Sequence, residues 1–194
     1  MGQRDEGSTR DEAVEREESV AEGLRPDAFI LHEVIRREGD EELRRTGGAL
    51  FLSAFAAGLT MGFSLIVTGV LKAHLPEAQW AGLITSLGYA TGFLIVVLGR
   101  QQLFTENTLT PILPLLHDRS VATLMRVLRL WGIVLAGNMV ATAAIAAVLA
   151  YSDAFASEIH TAFAAISHHT IESAFWTTLI KAVFAGWLIA LMVW

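Results

Sequence analysis

The amino-acid sequence predicts an all-α integral membrane protein whose second transmembrane helix is interrupted. The chain is 53% hydrophobic, and its mean hydropathy is +0.48. Four apolar segments are long enough to cross a bilayer, since a hydrocarbon core of about 30 Å requires roughly 20 apolar residues in a helix. A polar stretch with two prolines, Gly99 to Pro114, follows the second segment where one continuous span would be expected to carry on.

Charge and hydropathy divide the chain into three predicted regions. Residues 1–46 hold 14 Asp and Glu and 8 Arg, so the whole net charge of −6 lies there. Residues 1–25 predict an acidic, disordered tail because they contain few residues able to form a core. Residues 26–46 predict an amphipathic helix, since apolar residues recur among charges near helical spacing. Residues 47–194 are the predicted transmembrane channel domain.

The predicted spans follow in chain order: Gly47–Leu71, Trp80–Leu98, Val127–Tyr151 and Phe175–Trp194. A shorter apolar piece, Thr105 to Leu116, follows the second span. Gly99, the polar cluster and the prolines disfavour one continuous helix facing lipid, so Gly99 to Asn107 is predicted to be a non-helical loop within the membrane domain. Such a break survives only where protein buries it or where it lines an aqueous cavity, which predicts a pathway through the membrane.

The distribution of Lys and Arg predicts a cytoplasmic N-terminus and location in a bacterial-type inner (plasma) membrane. Basic residues precede the first span and separate the second from the third: Arg36, Arg37, Arg44, Arg45, Arg119, Arg126 and Arg129. The alternate loops hold Lys72 near the first and no Lys or Arg from Val134 to Ile180. Because Trp194 lies within its apolar run, the chain is expected either to be a fragment or to have a sequence that ends prematurely.

Three motifs in order resemble the formate/nitrite transporter family. LFTENTLTPILPLL, residues 103–116, is similar to that family's interrupted second helix. LWGIVLAGNMVA, residues 130–141, and GWLIALMVW, residues 186–194, resemble its third and fourth helices. The resemblance implies an aquaporin-like bundle of six helices, four of them present here, assembled as a homopentamer with one pore in each protomer. The fifth helix, which carries the pore histidine, and the sixth are expected to be missing.

The same resemblance implies a channel for small monovalent anions or their weak acids, with or without a coupled proton. It places Thr105 at the pore centre, facing the missing histidine, and Phe104 at a narrow apolar constriction. The remaining expected pathway residues are Leu103, Asn107, Tyr89, Phe93 and Ile189. For Phe104, Tyr89, Phe93 and Ile189 the alternative is ordinary helix packing, which aromatic and aliphatic residues at helical spacing usually indicate.

Arg100 and Gln102 stand where the family commonly has Gly and an acidic residue. Arg100 is expected either to face the pathway or to act structurally, by reaching the cytoplasmic face or binding loop carbonyl groups. His168 and His169 precede the fourth span and are expected at the outer end of the pathway, with a plain surface role as the alternative.

Other classes of function fit the sequence less well. A neutral-solute channel of aquaporin type would carry Asn-Pro-Ala repeats, which this chain lacks. An enzyme is not predicted because no nucleophile and base, carboxylate pair or metal cluster occurs at usable spacing. The chain has no Cys, and neither a cofactor nor a metal is expected. Nucleic-acid binding is disfavoured by the acidic soluble region, whereas a non-transporting fragment remains an alternative.

Overall fold

A computed structural model describes residues 28–193, with Ala28, Phe29, Ile171 and Val193 described as backbone only. The predicted acidic tail, residues 1–25, lies outside the described residues. All regular structure in the described part is helical. In chain order the helices are α1 (Ala28–Arg44), α2 (Gly47–His74), α3 (Ala81–Leu98), a 3₁₀ turn (Glu106–Thr108), α4 (Ile112–His117), α5 (Val121–Tyr151), α6 (Ser157–Ile171) and α7 (Phe175–Val193).

Four of these helices, α2, α3, α5 and α7, are long and apolar enough to cross a membrane. They coincide with the four predicted spans, although several boundaries differ; the first helix, for example, ends at His74 rather than Leu71. The third begins at Val121 rather than Val127, because the Ser120 hydroxyl accepts a hydrogen bond from the Thr123 amide and caps the helix in its polar first turn. The apolar piece predicted from Thr105 is α-helical only from Ile112, directly after Pro111. The 3₁₀ turn Glu106–Thr108 includes Glu106 and Asn107, the last two residues of the segment predicted to be non-helical.

The centre of the bundle is the contact between α2 and α5, where small residues let the two backbones approach closely. A Cβ atom on Gly58 of α2 would lie 2.6 Å from Cβ of Ala141 on α5, and one on Gly137 would lie 2.8 Å from Cβ of Ala54. Close approach at small residues is how helices associate within lipid. The same contact buries a cluster of apolar side chains: Leu43, Leu50, Ala54, Val127, Leu130 and Val134.

Helix α3 packs on another side of α2, again through glycines. A Cβ atom on Gly88 would lie 2.9 Å from the Thr68 amide nitrogen. The Ser64 hydroxyl joins the two helices, because it donates to the Tyr89 carbonyl at 2.6 Å and accepts from the Gly92 amide at 3.1 Å. The broken region that follows α3 is therefore anchored at a fixed position beside α2.

The outer elements complete the arrangement. Helix α1 contacts α4 and the start of α5, and the guanidinium of Arg129 donates to the Arg45 carbonyl at 3.3 Å. Helix α6, which the sequence pattern did not predict, packs on α2, where Phe163 lies against Gly69. Helix α7 contacts the 3₁₀ turn and is otherwise exposed along most of its length.

Candidate functional site

The candidate site is the segment between α3 and α4, where the backbone leaves the helix. The last turn of α3 closes with the Gly99 amide donating to Ile95 at 2.8 Å and the Gln101 amide donating to Val96 at 3.0 Å. Arg100 takes a left-handed conformation with φ of 47°, the only non-glycine residue with positive φ in the described part of the chain. Residues 101–103 then run without regular structure to the 3₁₀ turn.

Asn138, on α5, binds the broken backbone with both ends of its amide. Its Oδ1 accepts from the Phe104 amide at 2.8 Å, and its Nδ2 donates to the carbonyls of Gln102 at 3.0 Å and Ala54 at 2.7 Å. The Ser53 hydroxyl of α2 accepts from the Gln102 amide at 3.1 Å. These side chains replace the hydrogen bonds that the backbone lost on leaving the helix, as an apolar environment requires.

A second set of bonds fixes the 3₁₀ turn. The side-chain Nδ2 of Asn107 donates to Oε1 of Gln102 at 2.7 Å and to the Leu103 carbonyl at 3.1 Å, and both amide side chains are buried. The indole of Trp131 on α5 donates to the Asn107 carbonyl at 2.8 Å, and its ring meets Phe104 edge-on. We call the four side chains that hold the break, Ser53, Gln102, Trp131 and Asn138, the buttress.

Thr105 is the predicted pathway residue left most available by this arrangement. Its side chain is exposed, and its hydroxyl makes no hydrogen bond with any other described residue. By contrast, the side-chain nitrogen and the backbone carbonyl of Asn107 are both hydrogen-bonded, and Leu103 is buried against Ala57 and Val96. A hydroxyl that the fold does not use can still bind a permeating molecule.

A cavity of about 350 Å³ lies beside the break. Arg100 and Asn107 line it, together with four carboxylates, whereas Leu103, Phe104 and Thr105 do not. The carboxylates come from α1 and from the 3₁₀ turn: Glu38, Glu41, Glu42 and Glu106. Arg100 is exposed and forms no ion pair within the described residues. The cavity is therefore lined by one cation and four acidic groups.

The other predicted pathway residues lie outside the break, on α3 and α7. Phe93 is half-buried and packs with the cluster that holds Leu103. Tyr89, one turn earlier on α3, is 61% exposed. Ile189 is half-buried on α7, the helix that contacts the 3₁₀ turn. The structure thus brings Phe93 and Leu103 together, packs Phe104 against Trp131 and the core cluster at α2 and α5, and leaves Tyr89 on an open face.

His168 and His169 are exposed on α6, and Nδ1 of His168 lies 3.2 Å from a Glu172 carboxylate oxygen. Helix α6 packs near Gly69 of α2, whereas the break is bound at Ser53. At 1.5 Å per residue these two points on α2 are about 24 Å apart. The histidines consequently lie toward the opposite end of the bundle from the break.

Sequence reasoning did not assign the buttress a role in the site. The signal that could have found it is the placement of Ser53 and Asn138 within apolar spans, since polar side chains in membrane helices usually have a specific partner. Gln102 was singled out only as a departure from a family pattern. Its burial and its three hydrogen-bonded contacts make it part of the scaffold of the break.

Comparisons with known proteins agree with one another. The model of the formate/nitrite transporter family matches residues 30–194. The inner membrane protein YfdC of Escherichia coli K12 is 41% identical over 167 residues, which cover 86% of this chain and 54% of YfdC. The formate channel BtFdhC of Bacillus thuringiensis is 24% identical over 168 residues, covering 84% of this chain and 64% of that protein. The chain thus spans between half and two thirds of the length of these relatives. No solved structure matches it significantly.

Proposed function

The chain belongs to the formate/nitrite transporter family, and we propose that it forms part of a channel for small monovalent anions or their weak acids, of the formate and nitrite type. Members of this family are channels or transporters rather than enzymes. The observation that carries the proposal is the break together with the side chains that hold it. Asn138 and its neighbours form hydrogen bonds with the polar backbone of the break, which lies beside three helices able to span a membrane. Non-helical backbone at membrane depth is tolerated where protein buries it or where it lines a water-filled cavity, and broken membrane helices commonly form the binding sites of transporters.

In this proposal, α3 and α4 are the two halves of one interrupted membrane helix in an aquaporin-like bundle. The end of α3, the irregular residues 101–103 and the 3₁₀ turn support it, since they take the place of a continuous helix. Thr105 would donate a hydrogen bond to the permeating molecule at the bend. Leu103, Phe104 and Phe93 would supply an apolar constriction, with Tyr89 and Ile189 on its approaches.

The charges around the break favour passage of the neutral acid over passage of the bare anion. A bare anion pays a large desolvation cost in an apolar constriction, which the neutral acid avoids. Four carboxylates line the cavity beside one arginine, Arg100, and the lining as a whole raises that cost for an anion, although Glu42 is itself paired with Arg45 at 3.0 Å. We therefore propose that a proton accompanies the anion. Asn107 would act mainly by shaping the bend, and His168 and His169 would set the electrostatics at the far end.

The proposed setting is the bacterial inner membrane, with a homopentameric assembly and a cytoplasmic N-terminus. The similarity to YfdC, an inner membrane protein, supports the membrane, and the positive-inside distribution of arginines supports the orientation. Since the chain contains no Cys, single cysteines provide a clean test. An impermeant maleimide added to intact cells should label Tyr151→Cys, at the end of α5, and should leave Arg37→Cys on α1 unlabelled. The reverse pattern would overturn the orientation.

Transport itself is tested in liposomes containing the purified chain. Uptake of formate and nitrite should exceed that of protein-free liposomes and should rise as external pH falls, because the neutral acid then becomes more abundant. Uptake of glycerol but not of formate would indicate a neutral-solute channel. No uptake of any solute by a correctly assembled sample would identify a non-transporting part of a larger protein.

A further inference from the structure

A groove separate from the break lies where α4 meets α5. It has a volume of about 270 Å³ and is bounded by Leu115, Leu116, Arg119, Val121 and Leu124, with Ser120 at its floor. Most of its apolar side chains face outward: Leu116 is 59% exposed and Val121 is 72% exposed. The groove therefore combines an open apolar face with one arginine at its edge.

The charge beside the groove is positive. The Asp118 carboxylate is held by hydroxyl groups, since it accepts from Thr123 at 2.7 Å and from Ser120 at 3.1 Å. Arg126 donates to the Thr123 hydroxyl at 2.7 Å, while among the described residues Arg119 donates to the Leu116 carbonyl alone, at 3.4 Å. Within residues 28–193 neither arginine forms an ion pair. One carboxylate thus faces two guanidinium groups, with His117 adjacent in the chain.

We propose that this groove binds an anionic phospholipid, with its phosphate on Arg119 and an acyl chain over the exposed apolar side chains. Arginine suits phosphate because its planar donors can pair with two oxygens at once. The groove also lies at the start of a membrane span, at the depth where lipid headgroups meet acyl chains, and basic pockets at that depth recognise anionic headgroups. The apolar face continues along α5 through Met125 and Leu128, which are 55% and 46% exposed.

The inference is independent of the proposed transport, because it rests only on insertion in a membrane. A soluble acidic partner would bind the arginines but would leave the exposed apolar side chains of the groove uncovered. A free phosphate ion would do the same. A phospholipid can place its phosphate on the arginine and its acyl chain on the apolar side chains, so it is the ligand that fits the whole groove.

The test uses the purified chain in mixed micelles with phosphatidylglycerol or phosphatidylcholine, and reads lipid retention by native mass spectrometry and thermal stability together. Phosphatidylglycerol should bind and stabilise the chain more than phosphatidylcholine. Arg119→Gln should weaken that preference about fivefold, the typical contribution of one basic residue at an anionic surface. Arg119→Lys should restore much of it. Leu116→Ser should weaken the binding of both lipids.

The matched control is Arg37→Gln on α1, which removes the same charge from a residue that is paired with Glu33 at 2.9 Å. It should retain the full preference for phosphatidylglycerol. An equal loss in Arg37→Gln and Arg119→Gln would overturn the proposal in favour of general surface charge. A change in oligomeric state in Leu116→Ser, with lipid retention unaltered, would overturn it in favour of a contact between copies of the chain.

Discussion

Replacing Asn138 with leucine removes the central side chain of the buttress at nearly constant volume. The Phe104 amide then loses its acceptor and the Gln102 carbonyl loses a donor, both within a buried site. Leaving two buried backbone groups unpaired costs about 2 to 6 kcal/mol, at about 1 to 3 kcal/mol each. Hydrogen bonds between membrane helices are weaker on average, at about 0.6 kcal/mol, and on that scale the three bonds of Asn138 sum to about 1.8 kcal/mol.

Both estimates, one from the unpaired backbone groups and one from the three lost hydrogen bonds, predict a clear loss of stability. Asn138→Leu should therefore lower the free energy of unfolding by about 2 kcal/mol or more. The control is Thr142→Val, one turn further along α5, because Thr142 is exposed and makes no side-chain hydrogen bond with another described residue. It should change the free energy of unfolding by less than about 0.5 kcal/mol. Unfolding in mixed micelles of increasing dodecyl sulfate content, followed by tryptophan fluorescence, measures the difference.

Hydrogen exchange provides a local check on the same variant. The Phe104 amide should exchange faster in Asn138→Leu than in the wild type, since its acceptor is gone, while amides in the middle of α3 keep their protection. Equal stability of the two variants, with unchanged exchange at Phe104, would refute the claim that the Asn138 side chain holds the break.

Three further predictions concern other parts of the molecule. Gly58→Ala should destabilise the bundle by about 1 to 3 kcal/mol in the same micelle assay, whereas Gly132→Ala, where a Cβ meets nothing within 4 Å, should be neutral or stabilising. Hydrogen bonds from the Thr123 and Ser120 hydroxyls lower the pKa of Asp118 from its usual 3.8, so this carboxylate stabilises the fold above that pH and ceases to do so as pH falls through its lowered pKa. Thermal melts of Asp118→Asn should accordingly show a smaller acid-induced drop than the wild type. Arg100→Gly should raise the free energy of unfolding by up to about 1 kcal/mol, because glycine adopts the left-handed conformation without strain. If the guanidinium attracts anions, the same change should also reduce anion uptake and the dependence of uptake on salt.

Local sequence features predicted the four spans well, because hydropathy and length decide whether a helix can cross a membrane. The four predicted spans coincide with α2, α3, α5 and α7. Helix α6 was not predicted, since the loop Ser157–Ile171 mixes alanines with histidines and other polar residues and is too short to span. Its formation depends on packing against α2, which no local pattern reveals.

The scaffold of the break was beyond sequence reasoning for a different reason. Asn138 is 84 residues from Ala54 and 36 from Gln102 along the chain, so these bonds exist only once three elements have come together. The backbone conformation was equally hidden. Gly99 would be expected to take the left-handed conformation at the end of α3, yet its φ is −80° and Arg100 adopts that conformation instead.

The central claim, that the break is a route for small anions or their acids, is tested most directly by formate uptake into liposomes containing Thr105→Val. Valine keeps the shape of the side chain and deletes a hydroxyl at the bend that no described residue engages. If that hydroxyl binds the permeating molecule, uptake should fall about 5- to 150-fold, the equivalent of a lost hydrogen bond worth about 1 to 3 kcal/mol. Thr142→Val, prepared and assembled identically, should transport as the wild type does. Wild-type uptake by Thr105→Val would contradict the account.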